Sequence, residues 1–133
     1  MNIMAVKKGQ SLVEAALAFV VLIFMVSALF DLGRAVLDYS ILNMAVREGT
    51  RYAVVQPAAT YNAALVKQKV QSYLFNIKDL DPNKIIISKD TVTVTIYIDD
   101  YPFNPITPFV KLILGQGLKI KVQSQMYLTS YAK

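Results

Sequence analysis

The sequence predicts an α+β chain in which a long membrane-spanning N-terminal helix, residues 10–55, leads into a small head of helix plus antiparallel sheet, residues 56–133. Three observations predict it. The run from Leu12 to Phe30 holds one charge, Glu14, and one hydroxyl, Ser27. Apolar residues then keep recurring at helical spacing as far as Tyr52. Past Pro57 comes a second amphipathic stretch, followed by β-branched residues in alternation.

Composition narrows the function classes before any motif is read. Of 133 residues 55% are hydrophobic and 17% charged, against about 25% charged in ordinary soluble domains. With neither cysteine nor histidine in the chain, there is no disulfide framework, no thiolate or imidazole metal site and no histidine acid–base catalysis. No cofactor and no enzymatic activity are expected. The formal charge of +5 does not point to a nucleic-acid partner, because Lys7 and Lys8 precede the apolar run and the other basic residues are scattered.

A helix over Leu12–Phe30 would be about 28 Å long, close to the ~30 Å hydrocarbon core, so residues of about 11–30 read as one membrane span. Lys7 and Lys8 flank it on one side and Asp31 on the other. That asymmetry places the N-terminus inside the cell, in the cytoplasmic membrane, and the head outside. Glu14 argues against a discarded secretory signal, since a carboxylate near the start of an apolar helix is costly and usually marks function. A plain signal anchor with Glu14 reaching to interfacial water is the alternative.

Lys7-Lys8-Gly9-Gln10-Ser11-Leu12-Val13-Glu14 resembles the processing site of type IV pilins. The resemblance implies that residues 1–9 are a leader, that a prepilin peptidase cuts between Gly9 and Gln10, and that the new amine on Gln10 is methylated. Removing the two leader lysines would lower the formal charge from +5 to +3. Glu14 would then be the fifth mature residue. Its physical logic is separate from the resemblance: in a bundle of like helices, one subunit's carboxylate can neutralise a neighbour's Gln10 amine. Such a pair fixes register, because truncating one partner strands the other at a cost of about 3–5 kcal/mol.

Beyond Phe30, Leu32, Ala35, Val36, Tyr39, Leu42, Ala45, Val46 and Tyr52 are expected on the apolar face of an amphipathic extension, residues 31–55. Asp31, Arg34, Asp38, Arg47, Glu48 and Arg51 are expected on the solvated faces, paired three or four apart. Asp31-Leu-Gly-Arg34 and Ala45-Val-Arg-Glu-Gly-Thr-Arg-Tyr-Ala53, together with Gly9–Glu14, resemble the three elements of TadE-like minor pilins and pseudopilins of tight-adherence (Flp-type) pilus systems. The resemblance covers about the first 55 residues. It implies a structural subunit that takes part in pilus assembly, adhesion or secretion, with other pilin subunits and the assembly platform as partners in a homo- or hetero-oligomeric filament. Gly33, Arg34, Arg47, Glu48, Gly49 and Arg51 are the candidate helix-interface residues. For the glycines the alternatives are close packing, on a neighbour or on the head, and simple tolerance. For the charges the alternative is a solvated face. An uncleaved single-pass membrane protein with an extracytoplasmic ligand-binding head is the competing reading of the whole chain.

In the head, Gln56–Thr60 breaks the helix at Pro57, and a second helix from about Asn62 to Phe75, capped by Thr60 or Asn62, should lie on a sheet. Asp79–Asn83 reads as a turn. Lys84–Ser88 and Thr91–Asp99 read as a hairpin turning near Lys89-Asp90, Tyr101–Pro108 as a proline loop, Phe109–Leu114 as a short helix and Leu118–Tyr131 as a third strand. Gly115-Gln116-Gly117 lacks the context of a dinucleotide site and reads as a turn. Asp99-Asp100, with Asp79 and Asp81, falls short of the six to eight oxygens of a calcium site. If extended, Asp99 and Asp100 face opposite ways and make no acid/base pair. Tyr97, Tyr101, Phe103 and Phe109 form either a partner-binding patch or part of the head's own core.

Overall fold

The computed structural model describes residues 3–57, 60–74, 77, 80–91, 93–115 and 118–128, with the side chains of residues 3–8 and 114 outside that description. Helix α1 runs unbroken over Ile3–Val55, α2 over Ala63–Ser72 and α3 over Pro108–Leu114. Strands β1 (Ile85–Lys89), β2 (Thr93–Phe103) and β3 (Leu118–Tyr127) form one antiparallel sheet in the order β1-β2-β3. The α+β expectation holds, with a head of helices and sheet gathered on the outer half of one long helix.

At 1.5 Å per residue, the 53 residues of α1 give a rod about 80 Å long. No proline interrupts it before Pro57. Residues 9–26 are exposed all round, whereas the outer half buries one stripe: Asp31, Leu42, Ala45, Val46, Gly49 and Ala53, with Ala35 and Asp38 half-buried. Steps of three and four keep those positions on one arc.

That arc differs from the expected one. Ala35, Leu42, Ala45 and Val46 face the head, but Leu32, Val36, Tyr39 and Tyr52 remain exposed, and Asp31, expected in solvent, is 4% exposed. Apolar residues occupy most of the circumference of this helix, so periodicity alone does not choose among its arcs. The small side chains choose: Ala45, Gly49 and Ala53 let the head approach the backbone closely, as dense packing requires. Thr50 is buried too, and its hydroxyl donates to the Val46 carbonyl at 2.8 Å.

Asn62 caps α2, its Oδ1 accepting from the Ala64 N–H at 2.9 Å. The helix ends at Ser72, short of the expected Phe75, which lies outside the described residues. Contrary to expectation it packs chiefly on α1, with a smaller contact to the sheet at β1. Val66 and Val70 are its buried residues. The turn before β1 is a 3₁₀ turn over Pro82–Lys84, with the Asp81 carboxylate accepting from Asn83 N–H at 2.9 Å.

In β2, Val94, Ile96 and Ile98 point inward and are buried, as their alternation with Thr93, Thr95 and Tyr97 predicts. The strand does not stop at Asp99. Between Ile98 and Tyr101 the register with β3 slips by one residue, a β-bulge in which Asp100 takes φ +52°. The extra residue turns Tyr101 and Phe103 inward, where both are buried, and Pro102 outward. The expected loop from Tyr101 is therefore strand as far as Phe103. Pro102 is tolerated because β1 pairing ends at Ile98, which leaves that stretch of β2 an edge needing no N–H. β3 ends at Tyr127, and Tyr131 lies outside the described residues.

Candidate functional site

Three surfaces of α1 carry the candidate residues. On the first, residues 9–26, every residue is exposed, and the head reaches it only at the outer end, where Phe109 packs on Phe24. Gly9, Gln10 and Glu14 lie here, all exposed, with Gln10 and Glu14 one turn apart. Glu14 is the sole ionisable group between Leu12 and Phe30, and among the described residues it has no ion pair. The Ser27 hydroxyl donates to the Ile23 carbonyl at 2.8 Å and adds no free polar group. Lys7 and Lys8 sit on the helix backbone, their side chains outside the described set.

The second surface holds the head. Asp31 accepts from two backbone donors of the segment between β2 and α3: Ile106 N–H to Oδ1 and Thr107 N–H to Oδ2, each 3.0 Å. The Arg34 guanidinium stands 3.8 Å from Asp31 Oδ1 and 5.7 Å from the centre of the Phe103 ring. One turn on, Tyr101 OH reaches Asp38 Oδ2 at 3.4 Å, so Asp38 faces the head and not Arg34. Gly49 belongs to this surface as well. A Cβ there would collide with Val70 Cγ2 and come within 3.3 Å of Ile96 Cδ1. Here α1, α2 and β2 meet, and only a residue without a side chain fits.

Sequence reasoning assigned Asp31 to solvent and missed its docking role. Its partners lie 75 and 76 residues away, and no local spacing encodes a bond of that range.

The third surface faces away from the head. Gly33, Ser40, Arg47 and Arg51 are exposed and share an arc by helical spacing. Nothing lies within 4 Å of where a Cβ on Gly33 would stand. Val36, Tyr39, Ser40, Asn43, Met44, Arg47 and Glu48 line a shallow groove along this arc. Glu48 and Arg51 are 3.9 Å apart and largely exposed, a pair of the kind worth little to stability. The candidate interface residues thus fall on different faces, with Gly49 and Arg34 turned toward the head and Gly33, Arg47 and Arg51 toward the open side.

Two carboxylates of the head, Asp99 and Asp100, are engaged by lysines. The bulge lets Asp99 and Asp100 converge, where an extended strand would separate them: Lys121 Nζ lies 2.7 Å from Asp99 and 3.5 Å from Asp100, and Lys119 Nζ 3.1 Å from Asp100. Lys84 Nζ donates to the Asp100 carbonyl at 2.8 Å. The Lys119 hydrogen bond, helped by the charges of Lys119 and Lys121, holds the Asp100 carboxyl below its ordinary range, while the bond to Asp99 raises Lys121. Among the described residues no group of three or more acidic side chains gathers as a metal site; Asp79 lies outside them. Of the four aromatics around the proline segment, Tyr101 and Phe103 belong to the core, Tyr97 is half-buried and Phe109 is 42% exposed.

Comparison with known proteins speaks to about a third of the chain, within α1, and is silent on the rest. The chain matches no curated protein and no solved structure. One family model, described as TadE-like protein, matches residues 9–51. The matched stretch runs from the exposed Gly9 through Glu14 and the Asp31–Arg34 docking element to Arg51, and leaves α2 and the sheet outside it. One helix with an apolar stretch of mean hydropathy 2.6, joined to that match, is the pattern of a single-pass membrane protein. Along its N-terminal helix, residues 9–51, this chain is similar to the TadE-like family.

Proposed function

We propose that the chain is a pilin-like structural subunit, a minor pilin or pseudopilin of a tight-adherence system. It enters the cytoplasmic membrane with its N-terminus inside, is cut between Gly9 and Gln10 by a prepilin peptidase, and packs by α1 against other subunits in a pilus. The observation that carries this reading is the inner half of α1: an apolar surface left exposed by the rest of the chain apart from the Phe109 contact at Phe24, interrupted by one carboxylate a single turn from the future N-terminus.

Such a surface has two ways out of water. Lipid covers it before assembly, and like helices cover it afterwards, when Glu14 meets the methylated Gln10 amine of a neighbour and sets the axial step. The open face of the outer half prolongs the contact. Val36, Leu37 and Met44, all exposed, would each contribute about 1.5–3 kcal/mol on full burial. Gly33 allows a neighbouring backbone to approach there, and Arg47 and Arg51 would meet another subunit or the assembly platform. Asp99 and Asp100, already bound by lysines, have no part in this mechanism.

Mass spectrometry of the mature chain tests the processing step: it should begin at Gln10, and Gly9→Leu should accumulate the uncut form. A wild-type chain that keeps Met1 under all growth conditions would favour the uncleaved membrane protein instead. Glu14→Ala should be cut normally yet yield few pili; normal piliation would remove the register role and leave the family intact.

A further inference from the structure

Among the described residues the head meets the membrane-spanning part of α1 at its outer end, around Phe24 and Ala28. Phe109 of α3 packs on Phe24, ring centres 5.1 Å apart and tilted by 34°. Phe24 lies six residues before Phe30, the end of the apolar run, which is about 9 Å back along the helix axis. The head therefore reaches down past the point where α1 leaves the apolar segment. Beside this contact Ile106, Leu112 and Ile113 are 73%, 81% and 67% exposed, and Lys111 is the one ionisable residue of α3.

The backbone pairing ahead of α3 fits that depth, although Thr107 does not cap the helix with its hydroxyl. Pro108 has no N–H, the Lys111 N–H bonds the Thr107 carbonyl at 3.1 Å, and the Ile106 and Thr107 N–H groups are taken by the buried Asp31 carboxylate. A segment bathed in water needs no such acceptor. One lowered into hydrocarbon must satisfy its donors from within the protein. Between α3 and α1 lies a cleft of about 360 Å³, almost wholly apolar, whose lining includes Ala28, Leu32, Ala35, Phe109 and Ile113.

We infer that Ile106 and α3 form a second membrane contact, a wedge that lies in the lipid leaflet on the head's side and whose cleft takes a phospholipid acyl chain. The inference rests on the membrane-inserted reading of α1. Apolar residues at this depth match the 5–10 Å or so by which interfacial helices sink into a bilayer. Lys111 extends from the wedge toward the phosphate level, its stem in lipid and its ammonium outside. Because the wedge is anchored to α1 through Asp31 and Phe24, it holds the head at a fixed height and tilt over the bilayer.

The chain has no cysteine, so single cysteines can report depth without further change. Leu112→Cys and Ile113→Cys, both at exposed positions, are labelled with a polarity-sensitive fluorophore in the full-length protein, in vesicles of phosphatidylethanolamine and phosphatidylglycerol. Leu22→Cys marks the span and Tyr127→Cys the exposed head. Quenching by bromolipid is compared with quenching by aqueous iodide. The expected result is that labels at 112 and 113 lose fluorescence to bromolipid and resist iodide, as at 22, with the opposite at 127. Iodide quenching at 112 and 113 with bromolipid quenching kept at 22 would reject the wedge and spare the span. Iodide quenching at 22 as well would reject the span and the wedge together. Resistance to both quenchers at 112 and 113 would overturn the lipid contact in favour of a second copy of the chain covering α3.

Discussion

The outer half of α1 presents two faces built from similar residues and put to different ends. Under the head lie Asp31, Ala45, Gly49 and Ala53, all buried; on the opposite face lie Gly33, Val36, Leu37 and Met44, all exposed. Each face has its glycine, and each glycine interrupts a helix at a cost of about 1 kcal/mol against alanine. Only Gly49 has a reason within the chain, since a Cβ there meets Val70 and Ile96, whereas one on Gly33 meets nothing. The difference shows how a helix can hold its own head and remain available to others. Small side chains set the close internal contact, and the larger ones are left outside.

The strongest way to break that distinction is to add bulk to both faces. Gly49→Leu must displace Val70 or the Ile96 side chain, and overpacking a dense core costs about 1–3 kcal/mol and occasionally more, here enough to detach α2 from α1. Gly33→Ala should leave the isolated subunit as stable or up to about 1 kcal/mol more so. Urea melts of the detergent-solubilised protein check both. A Gly49→Leu variant as stable as wild type would mean that α2 is not seated on α1 as described.

A smaller effect is expected at the polar end of the buried stripe. Asp31→Ala leaves the part-buried Ile106 and Thr107 N–H groups without their acceptor, and because water can reach them the loss should fall below the roughly 1–3 kcal/mol of a fully buried stranded donor. The loss should appear as faster hydrogen exchange at those two amides. Asp31→Asn, which keeps one acceptor oxygen, should be intermediate. Arg47→Ala, on the open face, should stay within about 0.5 kcal/mol of wild type. Equal exchange in all four proteins would sever the link between Asp31 and the head.

Much of this was legible in the sequence, for reasons that can be named. The membrane-length run, the break at Pro57, the Asn62 cap and the inward set Val94, Ile96 and Ile98 follow from local chemistry: length, ring closure, a short polar side chain and the pleat of a strand. Three features did not follow. The arc of α1 that meets the head depends on which residues are small, and not on which are apolar. The continuation of β2 through Tyr101 and Phe103 depends on a bulge, and an aspartate at positive φ leaves no sequence mark as plain as a glycine's. Asp31 is governed by donors 75 and 76 residues away, so charge alone sent it to the wrong side. At the candidate site, the Gly9–Glu14 pattern was readable, while the division of the interface residues between two faces needed the head in place.

The smallest effect separates the bulge's charges from its backbone. Asp100 sits below its ordinary value of 3.8, first through the Lys119 hydrogen bond and then through the Lys119 and Lys121 charges, with desolvation opposing them. A carboxyl depressed in the folded state stabilises fully above its unfolded value, and the contribution is lost as pH falls through the folded one. Asp100→Asn keeps a residue type that tolerates positive φ and removes only the charge. Its melting temperature should fall slightly below wild type at neutral pH, and the gap should close in acid as pH falls through the lowered folded-state value. Asp100→Ala adds backbone strain to the lost charge, so part of its deficit should persist at every pH. If the two variants behave alike in acid, then φ +52° is not a constraint that the residue at this position must meet, and the turn of Tyr101 and Phe103 into the core must be enforced by their own burial.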